Sequence, residues 1–159
     1  MDLQAQIQSL VDNAPQDGVT PQLMIAIAPV LQAIAQPLRH LQYYILQDMD
    51  HHWIVTTLSN RTNPNLEKRV IYAFPTLQDV STNTDAGLDP QVIAAPIPVI
   101  HLLFQLVALE PVDSIVFFET PGTMSNAVEI PRHQLQSQIQ GFLHTQQKPN
   151  SSPIPPDIA

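Results

Sequence analysis

No cysteine occurs among the 159 residues, so neither a disulfide framework nor a thiolate metal site can be built. Glycine is scarce as well, with four residues against sixteen prolines. That ratio argues against glycine-rich phosphate or dinucleotide loops and predicts many abrupt element ends. Cations are few: six Lys and Arg face fourteen Asp and Glu, for a formal net charge of -8. Only Lys68 and Arg69 are adjacent. Binding to a phosphate backbone or an anionic membrane surface needs clustered cations, so nucleic acid is not an expected partner. The longest apolar stretch, VIHLLFQLVAL, is too short and too interrupted to span a bilayer, so no membrane insertion is expected. The opening MDLQAQIQSLVDNAP has no basic n-region and no continuous apolar run. No signal peptide is read there, and the expected location is cytoplasmic.

What is present suffices for a core. Aliphatic and aromatic residues make up 44% of the chain, and a domain of roughly 150 residues buries about 68–70% of its unfolded surface. Residues 1–146 read as a single domain. The remaining 147–159, with PNSSPIPP, reads as a proline-rich disordered tail.

Leu3, Ile7, Leu10 and Val11 recur at helical spacing after Asp2, a candidate N-cap. A second helix is predicted from Thr20 as N-cap and Pro21 as first helical residue, with Pro29 expected to kink or split it and Pro37 to end it. Three strands follow: HLQYYILQ (40–47), WIVTTLS (53–59) and KRVIYAF (68–74), joined by short polar links as an antiparallel meander. The first puts Tyr43 and Ile45 on one side, Tyr44 and Leu46 on the other. Residues 75–95 read as a long irregular connection with room for a helical turn after Thr76. PVIHLLFQLVAL (98–109) predicts a helix apolar almost all round, DSIVFFET (113–120) a central strand, and NAVEI (126–130) its hairpin partner across the type II turn signal TPGT. PRHQLQSQIQGFLHTQ (131–146) closes the domain as an amphipathic helix. The expected fold is α+β, with helices packed on an antiparallel sheet in the order α-α-β-β-β-α-β-β-α.

Chemistry is thin. DMDHH (48–52) raises a metal site, because Asp48, Asp50 and His52 share a face of an extended chain. The same residues must reverse the chain before Trp53, and aspartates suit turns. A tight tip is not expected to aim all three at one point, so further ligands would have to come from His101 or His133. The polar hairpin tip is the preferred reading, with no metal and no cofactor expected. Ser59, Ser114 and Ser125 lack a nucleophile-elbow context, and Glu110, Glu119 and Glu129 read as solvated acids. No catalytic residue is assigned, and the expectation is a protein that is not an enzyme.

The helix at 98–109 carries more information. Its apolar surface exceeds what one sheet covers, so Ile100, Leu103, Phe104 and Val107 are candidate homodimer contacts, the alternative being a wholly intramolecular core helix. Tyr44, Leu46 and Ile54 are candidate anchors for a client segment laid on the sheet.

The element order, small size and acidity, with HLQYYILQDMDHHWIVTTLS as first hairpin and DSIVFFETPGTMSNAVEI as second, resemble the type III secretion chaperone-like superfamily, including its YbjN-type members. The resemblance covers residues 20–146. It implies a chaperone-like, non-catalytic homodimer that binds an extended segment of a client protein, with the helix before the fourth strand as dimer contact. The glutamine-rich, lysine-poor style also resembles cyanobacterial proteins. The alternative function is a small-molecule or metal-binding regulator, and a third an unrecognised hydrolase.

Overall fold

In the computed structural model, which describes residues 2–59, 62, 66–84 and 89–147, the chain opens with two helices, α1 (Leu3–Asp12) and α2 (Thr20–Ala35). Asp2 caps α1 as its position predicts, accepting the Ala5 N–H at 2.8 Å. Thr20 does not cap α2; it is that helix's first residue. Asp17 takes the role, accepting the N–H groups of Val19 and Thr20 at 2.9 and 2.7 Å and the Thr20 hydroxyl at 2.7 Å. Nor does Pro29 split α2. The helix runs through it, flanked by buried Ile27, Ala28, Val30 and Leu31, whose packing offsets the missing hydrogen bond.

The expected strands and helices follow in the expected order: β1 (Gln42–Gln47), β2 (Thr56–Ser59) and β3 (Glu67–Ala73), then the helix, the second strand pair and the last helix. α3 (Leu77–Asn83) forms where a helical turn after Thr76 was expected, and β4 (Ile93–Pro98) is a further element that begins in the stretch read as irregular and runs past it. They precede α4 (Val99–Ala108), β5 (Ser114–Phe118), β6 (Ala127–Pro131) and α5 (Arg132–Gln147). Positions 148–159 of the expected tail lie outside the described residues.

The fold is α+β, its sheets largely antiparallel. β2 pairs with β3, and β5 with β6, both antiparallel. β3 and β5 run parallel, because the connection between them crosses over through α3, β4 and α4. The meander is modified at its first step. β1 lies antiparallel against β4, with isolated bridges at Gln47↔Trp53, ahead of β2, and at Tyr44↔Phe74, just past β3. The TPGT signal is realised: Gly122 has φ +89°, the left-handed value a type II turn requires.

One face of the sheets meets the helices. Tyr43, Ile45, Ile71, Ala73, Ile115 and Phe117 point there, alternating as pleated strands demand, against Leu31 of α2, Leu102 and Leu106 of α4 and Leu135 of α5. α4 is tied at both ends by side chains from other helices. Gln6 of α1, 1% exposed, accepts the Ile100 N–H at 2.9 Å and donates to the Leu41 carbonyl at 2.8 Å. The Arg132 guanidinium donates to the Leu106 and Val107 carbonyls at 2.8–3.2 Å.

Candidate functional site on the second sheet face

The other face of the same strands carries Tyr44, Leu46, Tyr72, Phe74, Val116 and Phe118. Phe118 stacks on Tyr72 and Phe74 with ring centroids 5.6 and 5.2 Å apart. The short α3 covers part of this face through Val80. Thr76 caps α3 by accepting the Asp79 N–H at 3.0 Å, and the buried Asp79 carboxylate accepts the Gly122 N–H at 2.8 Å, fastening α3 to the β5–β6 turn.

Past the C-terminal end of α3 the face opens into a cleft of about 390 Å³. Leu46, Ile54, Thr56, Tyr72 and Phe74 form its floor, and Asn83, Thr84 and Met124 its rim. None of these side chains bears a formal charge at neutral pH. The cleft sits over a fork in the strands. β2 stays on β3 as far as Thr56↔Val70. Phe74 then exchanges backbone hydrogen bonds of 2.7 and 3.0 Å with Tyr44, while the Ile54 N–H turns to the Leu46 carbonyl at 2.9 Å. Tyr72 lies at the centre of the fork.

Two of the three expected client anchors, Leu46 and Ile54, therefore meet in one cleft. Tyr44 lies on the same face, packed into the adjoining aromatic cluster rather than lining the opening. Tyr72 and Phe74 were legible as one strand face, and Thr56 shares that of Ile54; Asn83, Thr84 and Met124 were not legible, because α3 and the turn bring them in from afar.

The candidate dimer contacts divide. Ile100 and Leu103 are 0% exposed and belong to the core, so they have no surface to offer a partner, a correction to their assignment. Phe104 and Val107 are only half-buried. α1, α2 and α5 all pack on α4 and cover more of it than the apolar pattern alone indicates.

At the β1–β2 tip, one ligand atom each of Asp48, Asp50 and His52 lies within 4.8 Å of the others, so the turn brings together residues a tight tip was not expected to converge. Neither His101 nor His133 joins them. The Asp48 carboxylate serves the turn, accepting the N–H groups of Asp50 and His52 at 2.8 and 3.0 Å. The His52 N–H, first among several hydrogen bonds, holds that carboxyl below its ordinary value. His101 has a buried Nε2 with no hydrogen-bond partner, and burial lowers its pKa.

Glu119 is not the solvated acid expected of it. Buried at the end of β5, it accepts the Tyr43 hydroxyl and the Arg39 N–H, the latter at 2.8 Å. The His40 ring meets the Glu119 carbonyl at 2.7 Å. The cluster clasps the α2–β1 link to β5.

No family model matches the chain, and no curated protein matches it. Among the described residues no helix is long and apolar enough to cross a membrane.

Proposed function

We propose that this chain is a non-catalytic, chaperone-like protein-interaction module that pairs with itself and holds a client polypeptide, acting in the cytoplasm. One observation carries the reading: a sheet face dense in aromatic side chains is left open at an uncharged cleft, while the helices pack against the opposite face. Apolar surface kept open in this way is what a recognition site uses. The order of elements supports placing the chain with the secretion chaperone-like superfamily.

Capture of client proteins from the native host by tagged chain, compared with tagged Ile54→Lys chain, tests the proposal. The same proteins should be retained by the first and lost by the second. Equal recovery by both removes the cleft from the function, and a strict monomer in light scattering removes self-pairing.

A second reading is favoured by the cleft's size. Pockets for small molecules span about 300–1,000 Å³ and are mostly apolar with a few polar groups, a description that Thr56, Asn83 and Thr84 around Tyr72 and Phe74 also meet. Native mass spectrometry of protein purified from its host tests it, since a small-molecule regulator should carry a stoichiometric adduct.

A further inference from the structure

Charge and continuity say more about what enters the cleft. The chain carries a net charge of -8, yet the cleft over the fork holds no carboxylate and no cation. A charged group entering it would lose hydration without meeting a countercharge, which disfavours it. Alternation along β3 aims the Tyr72 backbone N–H and C=O to the same side as those of Phe74, into the fork. The floor thus pairs aromatic surface with main-chain polar groups.

The apolar track does not stop at the cleft. Leu58, 43% exposed, shares the strand face of Ile54 and Thr56, and Met124 stands 42% exposed on the opposite rim. From Ile54 to Leu58 the strand rises about 13 Å at ~3.3 Å per residue. A compact molecule seated in the cleft leaves Leu58 uncovered, whereas an extended chain crosses both. β2 is an edge of the four-stranded sheet, so no strand of that sheet flanks the track on its outer side, while on the inner side Leu58 stands opposite Lys68 of β3.

We infer that the cleft is an anchor pocket for one uncharged, apolar side chain of an extended polypeptide segment that lies across Leu58 and Met124. This rests on the client-binding reading and specifies its chemistry: a client is selected by a neutral aromatic or large aliphatic residue, flanked on either side by chain that contacts the two exposed apolar residues.

The test uses the full-length ¹⁵N-labelled chain and a capped peptide of threonines and valines around one central phenylalanine. The peptide should shift the amides of Ile54, Thr56, Tyr72 and Met124. Replacing its phenylalanine by glutamate or by lysine should each weaken binding at least about tenfold, the loss expected when a buried phenyl ring is forfeited. Leu58→Ser should weaken it several-fold. Thr56→Asp places a charge at the half-buried edge of the floor and should abolish binding without changing the thermal melt, which keeps the test open if Ile54→Lys fails to fold. Charged peptides binding as well as the neutral one, shifts mapping elsewhere, or no binding at all would each overturn the inference. So would N-acetylphenylalaninamide binding as tightly as the peptide, which makes the occupant a small molecule. If Thr56→Asp chain still captures the same host proteins, the interaction function stands and only the anchor pocket fails.

Discussion

Gln6 accepts the backbone N–H of Ile100 at 2.9 Å, joining the first helix to the N-terminus of the most buried one. A helix beginning inside a protein leaves its first N–H groups without intrahelical acceptors, and this amide oxygen supplies one. The amide nitrogen simultaneously donates to the Leu41 carbonyl, so one side chain fixes α1, β1 and α4. Gln6→Leu keeps much of the volume and removes both bonds, stranding the buried Ile100 N–H while the Leu41 carbonyl keeps the Val99 N–H. The expected cost is about 1–3 kcal/mol, read as a lower urea midpoint with unchanged slope. Gln6→Glu should not fully restore it, because keeping both bonds in this buried site requires the carboxyl to stay protonated, at a cost in stability at neutral pH.

Tyr43 should resist ionisation well beyond the ordinary tyrosine range. Burial first, then its hydrogen bond to the Glu119 carboxylate and that group's negative charge, push its pKa far above the usual value near 10. Because the folded value is the higher one, the stabilisation is complete below about pH 10. Above that the unfolded chain releases the proton while the folded chain keeps it, so stability falls as pH rises. Absorbance titration should show Tyr43 ionising only together with alkaline unfolding. Tyr43→Phe should flatten that dependence and cost about 1–3 kcal/mol at neutral pH, since Glu119 loses a partner in a buried site.

Acid should loosen the start of α2. Hydrogen bonds from Thr20, backbone and hydroxyl, and then from the Val19 N–H lower the Asp17 pKa from 3.8 to about 2. A depressed folded value means that the contribution is complete above the unfolded value near 4 and is lost as pH falls towards about 2. The carboxyl resonance of Asp17 should titrate near pH 2. Asp17→Ala should bring increased amide exchange at Val19 and Thr20 already at neutral pH, whereas the wild-type chain should show it only in strong acid.

Much of the fold was legible because strand alternation and helical spacing are local. The alternation of Tyr43 and Ile45 with Tyr44 and Leu46 assigned both sheet faces correctly. β4 was hidden by Pro96 and Pro98, which ordinarily argue against a strand. The pairing explains why they are tolerated. Tyr44 spends its N–H and C=O on Phe74, so opposite Pro96 it exchanges no hydrogen bonds and asks for none. That depends on a neighbour's neighbour and leaves no mark in the IAAPIP stretch itself. The cleft was half legible for the same reason: Leu46 and Ile54 are close in sequence, whereas Met124 reaches the rim only because Asp79 fastens α3 to the β5–β6 turn. Glu119 misled because a carboxylate in an acidic chain reads as solvent-facing until its tyrosine partner is known.

The two halves of the α4 dimer assignment now make opposite predictions. Leu103 has no exposed surface and touches only this chain's own core. Leu103→Ala should therefore cost about 2–5 kcal/mol, and Leu103→Asp should abolish folding, whatever the oligomeric state. Phe104 is half-buried at the edge of the same core, and its exposed part is available to a second copy. Under the proposed self-pairing, Phe104→Asp should remain folded by circular dichroism and halve the mass in light scattering. If Phe104→Asp stays dimeric, the contact lies off α4, and if it unfolds as Leu103→Asp does, the whole helix is core. The pair of variants separates interface from interior more cleanly than either alone, because the two residues are adjacent in sequence and differ chiefly in exposure.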